Sequence, residues 1–202
     1  MVFCVAQPER DIQVFEGDCN VRIPELLATR CISDREATFC LLDQRTFECD
    51  WSTVRALAEY KPNGQHKIEL FYFLANRWLD RALAGSRTKR GTDRITSWWG
   101  GSGWERLRKV NPWERAQRVA DRFRTELRYE HAMPWAVYSR KFGGSLMYFM
   151  IHATDHPVAP GLMSRAYNKA VSPPETHEQL ALDMGVTPIA DKNAAGGTST
   201  EI

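Results

Sequence analysis

The first acid placed for chemistry in this chain is Asp43. It closes the apolar run Phe39-Cys40-Leu41-Leu42, which reads as a strand buried on both faces whose last residue emerges at the sheet edge. Ligands of open parallel sheets sit beyond the carboxyl ends of the strands, so the loop of residues 43–49 is where a reaction is expected. Asp43, Gln44 and Arg45 are its candidate catalytic residues, and Asn76 and Arg77 are candidates to line the same cleft. Asp18, ahead of a helical stretch, is placed either to cap that helix or to hold a ligand. His152 and His156 stand four apart across a strand end and a turn with no third ligand in view, and the five cysteines contain no Cys-x-x-Cys pair. No metal is expected.

The middle of the chain suggests a different chemistry. Between residues 81 and 128 Lys and Arg far outnumber Asp and Glu, and Trp98, Trp99, Trp104 and Trp113 are interleaved with them. Arginines that pair with phosphates and indoles that stack on bases suit a nucleic-acid surface, with Arg87, Lys89, Arg90, Arg115, Arg118 and Arg122 as candidate contacts. The same composition suits a solvated, arginine-rich helical insert whose tryptophans are its own core, and Trp113 falls on a buried stripe.

With 202 residues and a formal net charge of +2, the chain is one domain long enough to bury a core. No apolar run approaches the roughly 20 residues of a membrane span, and the N-terminus lacks a basic lead-in, so a cytoplasmic protein is expected. Periodicity predicts strands at 1–6 and 12–15, a helix at 20–30 capped by Asn20, the strand at 39–42, and a helix from Trp51 capped by Asp50. A strand at 67–74, a helix at 75–83 with Trp78 inward and a basic loop at 85–91 follow. The best-signalled helix then opens on Asn111-Pro112, with Glu114 placed to close a capping box. Strands at 134–139 and 146–152 form a hairpin, and a helix at 158–171 comes last. The prediction is an α/β domain over 1–171 with a Rossmann-like, mostly parallel sheet that finishes antiparallel. It carries a basic helical insert at 85–130 and a flexible acidic tail at 172–202, in which residues 178–184 form a short amphipathic patch.

Several motifs, taken in order, resemble the three-Cys-motif partner proteins, a bacterial family called TcmP. Phe15-Glu16-Gly17-Asp18-Cys19-Asn20 leads into Ile23-Pro24-Glu25-Leu26-Leu27, and Phe39-Cys40-Leu41-Leu42-Asp43 leads into Trp51-Ser52-Thr53. Asn76-Arg77 follows the next strand, and Tyr148-Phe149-Met150-Ile151-His152-Ala153-Thr154-Asp155-His156-Pro157 precedes the last helix. The resemblance implies a class I methyltransferase-type fold and S-adenosylmethionine as cofactor. It also implies a partner with a three-cysteine motif that looks like a radical-SAM protein, often near phage-related genes. Carried over, Asp18 would hold the adenine amino group of the cofactor. Asp43 would fix a target amine for in-line attack on the methyl sulfonium.

The chain departs from the family pattern in two places. Asp43-Gln44-Arg45-Thr46 stands where the family reads Asp-Pro-Phe-Gly, and no Gly-x-Gly occurs in the first sixteen residues, so the N-terminal cofactor loop has no counterpart. In the methyltransferase strand order this leaves one edge of the 39–42 strand unpaired, to be covered by residues 1–15, by a partner or by a second copy. The expectation is a non-catalytic or truncated module that binds a partner protein or nucleic acid, or forms a homo-oligomer through its open edge. The alternative is an active S-adenosylmethionine-dependent methyltransferase acting on nucleic acid.

Overall fold

A computed structural model of the chain describes residues 13–45, 47–62, 64–85, 88–139 and 144–171. In order they form α1 (Cys19–Ala28), β1 (Phe39–Leu42), α2 (Trp51–Ala58), β2 (Glu69–Leu74), α3 (Asn76–Gly85) and α4 (Lys89–Trp99). A 3-10 turn at Trp104–Lys109 leads to α5 (Pro112–Thr125), β3 (His131–Tyr138), β4 (Leu146–Thr154) and α6 (Ala159–Val171). The strand expected at 1–6, Arg87, residues 140–143 of the hairpin connection and the tail from Ser172 lie outside the described residues. Residues 13–15 are described and are not in a strand, and Val14 and Phe15 are exposed, so the strand expected there does not form over them.

The sheet is mixed, in the order β1-β2-β4-β3. β1 runs parallel to β2, with Phe39 opposite Glu69 and Leu42 opposite Tyr72, whereas β4 is antiparallel to both β2 and β3. The expected mostly parallel sheet is therefore corrected to one parallel pair and two antiparallel ones. The cause is where β4 lands: a short connection makes it antiparallel to β3, and insertion beside β2 carries that direction into a second pairing.

Because side chains alternate across a strand, the registers sort the sheet into two faces. One carries Leu42, Leu70, Tyr72, Leu74, Phe149, Ile151, Ala153, Ala132 and Ala136, all buried. α5 covers it with Ala116, Val119, Ala120 and Phe123, and the Phe123 ring meets Tyr72 and Trp51 edge-on. The polar ends inside this layer are matched, as buried donors must be: Trp98 Nε1 donates to Tyr72 Oη at 2.6 Å and Tyr129 Oη to the Ile68 carbonyl at 2.7 Å. Gly100 ends α4 at φ 77°, and a Cβ there would lie 2.6 Å from Trp51, so the backbone approach between α4 and α2 requires glycine.

Helix signals were mostly legible in the chain. Asn111 accepts from the Glu114 N–H at 2.9 Å and Pro112 takes the first position of α5, but the Glu114 carboxylate pairs with Arg118 at 2.8 Å instead of closing the box. Lys89, Arg90 and Gly91, expected in a loop, form the first turn of α4, where Thr88 Oγ1 accepts from the Gly91 N–H. Two tryptophans expected inside are half-exposed. Trp78 carries Arg81 over its ring, and Trp113 sits in the first turn of α5 with one edge on Phe149.

Candidate functional site

The loop that follows β1 is held from within. Gln44 is buried; its Nε2 donates to the Phe73 carbonyl at 3.3 Å and its Oε1 accepts from the Cys49 N–H at 3.2 Å. An amide can bridge two strands of chain in this way because it both donates and accepts. Gln44 therefore closes the loop onto β2. Arg45 is exposed; its backbone N–H donates to Glu48 Oε2 at 2.9 Å, and its guanidinium has no partner among the described residues. Asp43 is exposed at the end of β1 and makes no hydrogen bond or ion pair with the described residues. Asn76, at the start of α3, is buried, and Arg77 beside it is exposed. The three candidate catalytic residues thus divide into one free carboxylate, one structural amide and one free guanidinium.

Nor are the cysteines in and beside this loop activated nucleophiles. Burial pushes the Cys40 thiol up to about 11 and holds Cys49 higher still, and Cys19 is raised by burial and then by Asp18. All three stay protonated thiols at neutral pH.

Asp18 is the N-cap of α1: its Oδ1 accepts from the Asn20 N–H at 2.9 Å. Asn20, expected as that cap, does more. Its Nδ2 donates to the Glu48 carbonyl at 2.7 Å, and its Oδ1 accepts from the Asp50 N–H at 2.8 Å and from Thr53 Oγ1 at 2.9 Å. One side chain thereby ties α1, the loop and the start of α2 together. Asp50 occupies the N-cap position of α2 but makes no side-chain cap bond, and its Oδ1 is buried with no hydrogen-bond partner among the described residues. The sequence could not show this, because Asn20 reaches Asp50 across thirty positions.

The candidate nucleic-acid contacts separate in the same manner. Lys89 and Arg90 are exposed on α4. Arg115, expected on a face with Arg118 and Arg122, instead points inward. It is 8% exposed, donates Nε to the Leu107 carbonyl at 2.7 Å and pairs with Asp80. Arg122 lies between the rings of Trp51 and Trp99, 4.0 Å from each centroid, and binds Glu126 through two nitrogens at 2.5 and 2.7 Å. That pairing holds the Glu126 carboxyl below its usual range. Arg118 remains half-open on the surface, bound to Glu114.

The site that sequence reasoning missed is at the opposite end of the sheet. A cleft of about 410 Å³ opens between the segment leading into β1 and the start of α6, lined by Phe39, His66, Glu69, Asp155, His156 and Leu162 among others. Lys67 pairs with Asp155 at 3.0 Å on its wall, and the His66 and His156 rings lie 5.6 Å apart. Among the described residues no group of three or more His, Cys, Asp or Glu side chains is placed to hold a metal ion.

No protein-family model, curated protein or solved structure matches the chain. Geometry alone therefore ranks the surfaces. The cleft is continuous with the second face of the sheet, which carries Phe39, Leu41, Phe71, Phe73, Met150, Met133 and Trp135. α6 reaches that face, where Tyr167 stacks on Trp135 and donates to the Ala136 carbonyl at 2.5 Å. Among the described residues the cover runs out toward β1: Phe39 is 55% and Leu41 53% exposed, on the strand that ends the sheet they form. Among the described residues no helix is long and apolar enough to cross a membrane.

Proposed function

We propose that the chain is a methyltransferase-like three-Cys-motif partner protein working as a non-catalytic module that docks a polypeptide along β1. The observation that carries this reading is a terminal strand bearing half-exposed Phe39 and Leu41. A row of outward N–H and C=O groups is satisfied best by another peptide backbone, which adds a strand. Apolar side chains on that strand would meet Phe39 and Leu41, and the adjoining cleft has room for a large anchoring side chain.

The methyltransferase-type part of the reading is supported by a parallel strand-helix-strand unit followed by an antiparallel hairpin, the closing half of that outline. The non-catalytic part is supported by Gln44, which is engaged in holding its own loop, and by Asp18, which caps a helix. The alternative, methyl transfer from S-adenosylmethionine to nucleic acid, rests on exposed Asp43.

The partner to test is the three-cysteine-motif protein that the resemblance implies. Light scattering of the mixture should show a complex, and Leu41→Lys should weaken it by about 30-fold or more, because an ammonium would be buried unpaired at its centre. Circular dichroism of that variant should match the parent. No complex, together with micromolar binding of S-adenosylmethionine by calorimetry, would overturn the docking reading in favour of the enzyme.

A further inference from the structure

The turn between α4 and the 3-10 turn, Gly100-Gly101-Ser102-Gly103, faces α5 across a cavity of about 600 Å³. Its polar groups are unequally used. Both carboxylates are engaged: Glu126 binds Arg122 and Trp51 Nε1, and Asp121 binds Arg124 and Gln117. The donors are not. Arg106 has no side-chain partner among the described residues, and neither the Ser102 N–H, the Ser102 hydroxyl nor Trp99 Nε1 makes a hydrogen bond there. Arg118 adds a guanidinium committed to Glu114 at 2.8 Å and, at the limit of a hydrogen bond, to the Arg106 carbonyl at 3.5 Å. Glu105 already accepts from the Gly103 N–H at 3.1 Å and Glu114 holds Arg118, so the uncommitted cation is Arg106, and the unused groups beside it are donors.

A group rich in acceptors and negatively charged is what such a cavity lacks. We propose that it binds a phosphate group, received by Arg106, the Ser102 N–H and hydroxyl, and Trp99 Nε1, with Arg118 swinging in from the rim. Arg122 does not join them, since it is clamped between two indoles and neutralised by Glu126. The clamp sets the Trp99 ring as a fixed wall of the site. The phosphate belongs either to a nucleic-acid backbone or to a free nucleotide, and the two are separated by the probe that binds.

The test uses the whole chain. Inorganic phosphate and adenosine monophosphate are titrated calorimetrically, and a fluorescein-labelled single strand of about twelve nucleotides is followed by anisotropy over a range of salt. At least one probe should bind saturably. Arg106→Ala should weaken it at least about tenfold, and on the oligonucleotide should lower the log–log salt slope by about 0.7. Ser102→Ala should weaken it less, and Arg165→Ala, exposed on α6 outside the cavity, should leave it unchanged. Binding by the oligonucleotide alone assigns the site to a nucleic-acid backbone; comparable binding by the monophosphate assigns it to a small ligand. The proposal is overturned if no probe saturates, or if Arg106→Ala and Ser102→Ala bind as the parent does.

Discussion

The two faces of this sheet are made by the same four strands and lead different lives. On one, Leu70, Tyr72, Phe149, Ile151 and Ala153 are completely shielded; on the other, Phe39, Leu41 and Met133 keep 45 to 55% of their surface open. The second face also carries Glu69 and His152, yet its large apolar side chains near β1 stay open where no described helix lies over them, so burial here depends on which helices arrive as well as on the strands. Among the described residues this apolar face lies open beside the end strand β1, which is the feature on which the proposed docking rests.

The largest test of that contrast is to remove one aromatic ring from each side. Phe123→Ala should cost about 3–5 kcal/mol in urea unfolding, since its ring fills a shielded space between Trp51 and Tyr72. Phe39→Ala should cost less than about 1 kcal/mol, because much of its surface already meets water. Equal losses would break the comparison: they would mean that the second face is covered in solution, and the oligomeric state would then be the next measurement.

A smaller effect sharpens it at the margin of the covered side, where α1 is fastened to α2 and to the loop after β1. Asn20→Ala leaves the Asp50 N–H and the Glu48 carbonyl without their partner and should cost about 1–3 kcal/mol. Asp18→Ala loses one cap bond and should cost about 1 kcal/mol. If the order is reversed, α1 is held mainly by its cap and the bridge to the loop is incidental.

What was legible in the chain follows from how local each signal is. The helix starts at Asp18 and Asn111 and the β1-α2-β2 unit are written in short-range periodicity and capping residues. The run Phe39-Cys40-Leu41-Leu42 was read as buried on both faces, and the structure covers one. Nothing in four apolar residues can say whether a second layer exists. Arg115 misled for the same reason: its neighbours on α5 are arginines, but its partners, Asp80 and the Leu107 carbonyl, come from other elements. At the loop, position identified Asp43 as free, whereas the duties of Gln44 and Asn20 depend on contacts 29 or more residues away for their longest bonds.

The smallest effect comes from the open face itself, on which His152 is a buried titratable side chain beside Glu69. His152 is 4% exposed, stacks near Phe71 and has Nε2 3.2 Å from Glu69 Oε1, though not aligned as a hydrogen bond. Burial lowers its pKa, and Glu69 opposes that in part. A histidine depressed in the folded state stays neutral there while the unfolded chain takes up a proton near its ordinary value of about 6.5. The unfolded state therefore binds more protons as pH falls, and stability should decline from about pH 6.5 downward until the folded-state pKa is passed. Glu69→Gln removes the compensating charge and should steepen the decline, while His152→Leu should flatten it. A slope that Glu69→Gln leaves unchanged would place the titrating group elsewhere, and a slope that vanishes when the β1 partner is bound would instead tie His152 to the covering of this face.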